Sequence, residues 1–173
     1  MTDEPPSCDV TVEPAWQAAG FDLEAACVDC ARAVLRRLGL AAGGIEVSCR
    51  FTDDATIAEL NAAWRGKPQA TDVLSFPADD AAGPAVAVAG APRLLGDVVL
   101  AFETCWHDAE ALERPFGDHV RHLLIHGLLH LLHFDHQTAA EAAAMEALEV
   151  AVLADLGVPD PYAGHTLTEE TSR

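Results

Sequence analysis

Apolar residues recur along this chain in two rhythms, and the change from one to the other marks out its elements. CDVTVEP near the start and IEVSCRF at 45–51 alternate apolar with polar positions, the period of a half-buried strand; VLSF (73–76) and LGDVVLAF (95–102) are short apolar runs that also read as strands. From 22 to 38 the apolar positions Leu23, Ala26, Cys27, Cys30, Val34, Leu35 and Leu38 fall at helical spacing, with Asp22 placed to cap the first turn. TDDATIAELNAAWRGK opens on capping residues and continues as a helix until Gly66 and Pro68 end it. Further helices are predicted from Thr104 to Leu112, from Pro115 to about His133, and after Thr138, which forms a capping-box signature with Glu141. The stretch ADDAAGPAVAVAGAPR between the last two strands reads as a long loop or a weak edge ribbon.

Two strand–helix units, then two strands, then helices predict an α+β fold: a single-layer mixed β-sheet of about four strands packed with about five helices, the helix beginning at Pro115 being central. With 173 residues and an apolar fraction of 50 %, the chain is expected to form one domain over 1–173, with loose termini at about 1–8 and 160–173.

Charge narrows the range of partners. The chain has 28 Asp and Glu against 10 Lys and Arg, a net charge of −18, so its surface as a whole repels polyanions and any nucleic-acid contact must be local or assisted by a partner. No apolar run approaches a membrane span and the acidic start lacks a signal-peptide pattern, which predicts a cytoplasmic protein without a membrane partner. Five scattered cysteines are expected to be reduced; Cys27 and Cys30 form a C-x-x-C inside a helical pattern with no second pair, so a zinc ribbon would lack half its ligands.

The candidate chemistry lies in HGLLHLLHFDH, residues 126–136. At about 100° per residue, His119, His122, His126, His130 and His133 fall within an arc of about 80° on the long helix. A single such histidine would be ordinary core, satisfied by a carbonyl or water; five on one stripe point to a cation. His126 and His130, one turn apart, can chelate one metal, whereas His133 lies about 10 Å along the axis from His126. A chain reversal over Phe134 to Gln137 could bring His136 in instead, giving H-x3-H-x5-H. Three imidazoles on Zn²⁺ would leave one position open, the arrangement of catalytic zinc. In metallopeptidases of this spacing a glutamate follows the first histidine as general base; Gly127 stands there in this chain, which disfavours a peptidase or amidase.

With that motif in view the chain resembles the YbeY family of bacterial endoribonucleases, whose signature is close to H-G-x-L-H-L-x-G-Y-D-H. LNAAWRGK (60–67), TDVLSFP (71–77) and LGDVV (95–99) agree with the family in order and spacing, so the resemblance covers roughly 45–150. It implies a zinc-dependent, single-strand-specific endoribonuclease acting in rRNA processing, including the 3′ end of 16S rRNA, and in ribosome quality control, with one Zn²⁺ per chain. It also implies His126, His130 and His136 as the zinc ligands and Arg65 as the functional arginine. The implied partners are single-stranded RNA of rRNA precursors and the ribosome or its proteins, with no DNA. Thr71, Asp72, Ser75, Asp97 and Asp135 are motif residues that support the site or touch substrate; Asp97 could line a cleft or cap a turn, and Asp135 could orient a histidine or accept backbone N–H bonds. The chain departs from the family at His133, which replaces a glycine at a position that often needs positive φ and so could compete as third ligand, and at Phe134, which replaces a tyrosine. The alternative is a non-catalytic, metal-stabilised binding factor in ribosome assembly.

Overall fold

The computed structural model describes residues 4–78 and 92–163. Four strands, β1 (Ser7–Val12), β2 (Ile45–Thr52), β3 (Val73–Pro77) and β4 (Arg93–Ala101), form one sheet in the order β1-β2-β4-β3. β1 and β4 run parallel to β2, and β3 lies antiparallel on the outer side of β4. Among the described residues five α-helices accompany it: α1 (Leu23–Arg37), α2 (Asp54–Arg65), α3 (Phe102–Ala111), α4 (Phe116–Leu131) and α5 (Ala139–Asp155). This is the mixed four-stranded α+β arrangement expected from the sequence. Most of the proposed ribbon between β3 and β4 lies outside the described residues.

Alternation along the strands sorts the core into two faces. Ile45, Val47, Cys49 and Phe51 of β2 join α1, α4 and α5 in the larger cluster, while Ile57 of α2 meets Leu74, Val99 and Ala101 on the other face. On β4 both Leu95 and Val98 face the larger cluster, although three residues apart they would point to opposite faces of a regular strand. The register between β2 and β4 shifts at this point, and the extra residue re-phases the strand. Gly96, at φ 140°, makes the shift possible: a Cβ there would lie 2.2 Å from the Phe76 carbonyl oxygen.

Local capping explains most helix starts. Asp22, Asp53 and Thr138 accept from the backbone N–H groups of Ala25, Thr56 and Glu141. α3 differs from expectation, beginning directly at the end of β4 rather than at Thr104. Its first-turn donors are satisfied from another helix: Thr104 N donates to Asp54 Oδ1 at 3.0 Å, and in return Asp54 N donates to Glu103 Oε1 at 3.0 Å. No local pattern announces a cap supplied across fifty residues of chain.

α4 packs against α1, α3, α5, β3 and β4, and Val120, Leu124, Ile125 and Leu129 on it are fully buried. It stops earlier than the histidine stripe predicts. Residues 1–3 and 164–173 of the expected loose termini lie outside the described residues, and the parts that are described make ordered contacts. Ser7 and Cys8 pair with Glu46 and Val47, and beyond Pro159 Pro161 is buried while the Tyr162 hydroxyl donates to Glu149. A polar partner inside the molecule anchors a segment whose composition alone reads as loop.

Candidate metal centre

The stripe of five histidines is divided by what each ring meets. His119 is buried and neither ring nitrogen has a hydrogen-bond partner among the described residues. Burial first, then the neighbouring His122, lowers its pKa to about 4, so it is a neutral core residue. His122 Nε2 lies 3.0 Å from Glu149 Oε2 and 3.2 Å from the Tyr162 hydroxyl. His126 and His130 reach the surface of the helix and, with His136, place one ligand nitrogen each within 4.8 Å of one another; among the described residues this cluster comprises those three imidazoles.

Each of the two helical imidazoles is fixed through its other nitrogen. His126 Nδ1 donates to Glu149 Oε1 at 2.5 Å, and His130 Nδ1 donates to the carbonyl of Phe134 at 2.9 Å. Both Nε2 atoms are then unprotonated in the neutral rings, and they face each other at 3.1 Å. Two lone pairs at that distance repel unless a cation stands between them. A tetrahedral ion with Zn–N of about 2.0–2.1 Å spaces its ligand nitrogens by about 3.3 Å, so the pair already has the spacing a zinc ion needs. The His130 pKa is lowered, by burial first and then by the neighbouring His126 and His136, which keeps that lone pair available near neutrality.

The helix end does the positioning of His130. Leu132 closes α4, His133 enters the left-handed region at φ 70°, and the chain turns back with His133 N donating to His130 O at 2.9 Å and Phe134 N to Leu129 O at 3.0 Å. That pair of bonds is a Schellman closure, and it brings the Phe134 carbonyl within reach of His130. Histidine occupies the positive-φ position here without a reshaped turn. His133 lines the same cleft but stands outside the three-nitrogen cluster, and His136 follows two residues after Phe134.

A cleft of about 530 Å³ opens beside the imidazoles and is lined by Arg65, Asp72, Ser75, His133, Phe134 and Asp135, among others. Arg65, exposed at the end of α2, makes no hydrogen bond or ion pair with any described residue. Ser75 Oγ donates to the Gly127 carbonyl at 3.1 Å and so ties α4 to β3. Asp72 Oδ1 accepts from Val73 N at 2.7 Å and from the Thr71 hydroxyl at 3.3 Å, holding the start of β3. Asp135 Oδ1 accepts from His136 N at 2.7 Å, the backbone role of the two considered for it. Asp97 is exposed on β4 and is not among the residues lining the cleft.

Gly127 has a steric reason as well as a chemical consequence. A Cβ there would lie 2.8 Å from Val98 Cγ1 and 3.1 Å from Ser75 Oγ, because α4 rests directly on the sheet. The glutamate of a metallopeptidase has no room at this position.

Glu149 escaped the motif-based reading. It is 1 % exposed, and burial alone would raise its pKa; hydrogen bonds from His122, His126 and Tyr162 outweigh this and bring it down to about 2. Its signal is present in the sequence: Met145, Glu149, Val152 and Leu153 are the inward stripe of α5, so Glu149 is the carboxylate at a core position of the helix that packs on the histidine helix.

A mixed-sheet protein in which three imidazoles can take one cation beside an open cleft belongs in the class of histidine-site metallohydrolases. Within that class the chain belongs to the endoribonuclease YbeY family, whose family model, described as Endoribonuclease YbeY, matches residues 15–157; it is an RNA-cleaving hydrolase. It is 51 % identical over 150 residues to Endoribonuclease YbeY of Paramagnetospirillum magneticum, covering 86 % of this chain and 90 % of that one. It is 46 % identical over 162 residues to the protein of the same name from Dinoroseobacter shibae, covering 88 % and 87 %. The solution structure of a Thermotoga maritima protein shares the fold, with a TM-score of 0.54 and 19 % identity over 96 % of this chain and 99 % of that one.

Proposed function

We propose that the chain is a single-domain, zinc-dependent endoribonuclease that cuts single-stranded RNA during rRNA processing, including maturation of the 3′ end of 16S rRNA, and in ribosome quality control. The observation that carries the metal part is the pair of unprotonated Nε2 atoms of His126 and His130 facing each other at 3.1 Å with His136 beside them. Those three residues would hold one zinc ion. When bound, the ion would supply a Lewis acid toward phosphate and water, while Gly127 leaves the general-base position of a metallopeptidase without a carboxylate.

The protein residues then divide the remaining work. Arg65, with no protein partner among the described residues, offers its planar fork to a phosphate and offsets the charge that builds as the phosphodiester is attacked. Glu149 and the Phe134 carbonyl keep His126 and His130 in the tautomer whose Nε2 faces the cation. Ser75 sets the distance between the helix and the strand that bounds the cleft, and Asp72 and Thr71 hold that strand's entry. Among the described residues no helix is long and apolar enough to cross a membrane. The proposed site of action is the cytoplasm, on rRNA precursors and in contact with the ribosome or its proteins, with DNA not a substrate.

The test is metal content and cleavage of a structured RNA bearing a single-stranded tail, wild type against His130→Ala and Arg65→Ala. His130→Ala should lose metal and cutting together, and Arg65→Ala should keep the metal and lose cutting. A metal-loaded wild type that binds the RNA but never cuts it would instead make the chain a metal-stabilised assembly factor.

A further inference from the structure

Trp64 occupies the last turn of α2 and is 72 % exposed, more than any other exposed large apolar side chain among the described residues. It is not loose. Its ring meets Phe76 at a centroid separation of 5.9 Å, and Phe76 packs in turn on the cluster of Ile57, Leu74, Val99 and Ala101. The indole is thus braced from the core on one side and open to water on the other. Arg65, which lines the cleft, is the next residue, and Lys67 lies two further on. The turn carrying them is shaped by Gly66 at φ 69° and by Asn61, whose buried side-chain amide donates to the Gln69 carbonyl at 2.9 Å.

We infer that Trp64 is a base-stacking plate, on which an unpaired nucleobase of RNA lies while Arg65 holds an adjacent phosphate. The inference deepens the reading of the cleft as an RNA-cleaving site and rests on it. Three considerations favour a nucleobase as the occupant. A net charge of −18 leaves few phosphate contacts to supply affinity, and stacking on an aromatic face is independent of charge. The indole ring is flat and its π-face reads no hydrogen-bond code, so it suits any base. In a duplex the bases are already stacked on one another and unavailable to a side chain, so a plate next in sequence to the cleft-lining Arg65 selects single strands by itself.

The test uses the zinc-loaded full-length protein and two probes: a twelve-nucleotide oligoadenylate RNA, and the same ribose-phosphate backbone with the bases removed. Trp64→Ala should lower kcat/KM on the oligoadenylate roughly tenfold and raise KM by a similar factor, a loss in the range of about 5- to 150-fold known for single stacked bases. Trp64→Phe, which keeps a π-face, should recover to within about threefold. On the base-free backbone wild type and Trp64→Ala should be cut or bound alike. Oligoadenylate should also quench the tryptophan emission of the wild type more than that of Trp64→Phe. A Trp64→Ala protein that handles the oligoadenylate like wild type, or that loses equally on both probes, overturns the plate and assigns the exposed indole to a protein partner. A wild type that neither binds nor cuts the oligoadenylate overturns the nuclease reading itself, and the plate with it.

Discussion

Glu149→Gln isolates what the buried carboxylate does for the metal centre. The amide has the same shape, so its oxygen can still accept the His126 Nδ1 proton at about the present 2.5 Å, and the change removes charge rather than volume. Glu149→Ala would be a poorer experiment, since it strands His122, His126 and Tyr162 without their acceptor at about 1–3 kcal/mol for each buried group, enough to unfold the chain. With Gln, the loss of the negative charge behind His126 makes the imidazole a weaker donor. The NH₂ group also faces either His122 or Tyr162, which now share Oε2. Outer carboxylates of this kind are worth about 10- to 100-fold in metal affinity, or roughly 1.4–2.7 kcal/mol. The assay is competition for zinc against a chromophoric chelator at pH 7.5, with Glu146→Gln, an exposed neighbour on α5, as control. The expected result is affinity lowered at least tenfold for Glu149→Gln and unchanged for Glu146→Gln. Zinc affinity of Glu149→Gln within twofold of wild type, in a protein with an unaltered circular dichroism spectrum, would refute the role assigned to the carboxylate.

Three further outcomes follow from other parts of the fold. Gly127→Ala forces a Cβ to 2.8 Å from Val98 Cγ1 and should cost about 2 kcal/mol, seen as a fall of roughly 4–8 °C in Tm; an unchanged Tm would show that α4 can lift from the sheet without penalty. His133→Gly relieves a histidine at φ 70° and should add about 1 kcal/mol in urea denaturation while leaving zinc stoichiometry at one, whereas loss of the ion would make His133 a ligand. His119 supplies a pH effect: its folded pKa of about 4 lies below the 6.5 of the unfolded chain, so the fold binds fewer protons and is destabilised as pH falls from 6.5 toward 4. In chelator, His119→Leu should therefore gain about 2.5 kcal/mol on wild type between pH 7 and pH 4.5, and a difference that stays constant across that range contradicts the assignment of the shift to His119. His122, Asp72 and Arg114 are the charged or titratable neighbours whose effects enter that difference.

How far the sequence discloses this molecule depends on whether the determining interaction is local. The strands of β2 and β3, and α1 and α2 with their caps, follow from alternation, helical spacing and neighbouring polar residues, all within a few positions of one another. The start of α3 does not, because its cap is Asp54, and neither does the phase of β4, which turns on a shift at Gly96 against β2 and β3. At the site, the i, i+4 pair His126 and His130 and the reversal toward His136 are legible because all three lie in one short segment. The full stripe misleads: His119 and His122 share its face, yet His119 is buried without a polar partner among the described residues and His122 meets the Glu149 carboxylate. Glu149 was hidden among the acids of α5, and only its place in the stripe of Met145, Val152 and Leu153 distinguishes it. Arg65 reaches the cleft from an element sixty residues earlier, a juxtaposition that needs the sheet to be folded.

The Schellman turn at His133 lets three imidazoles drawn from eleven consecutive residues converge. In the proposed site a chelate closed over so short a stretch would cost little chain entropy, so the denatured polypeptide would also capture zinc, if more weakly. Ligand bound to both states stabilises only by the ratio of the two affinities. The ion should therefore protect the native state by less than its dissociation constant suggests, and it can already be aboard before the β-sheet has assembled.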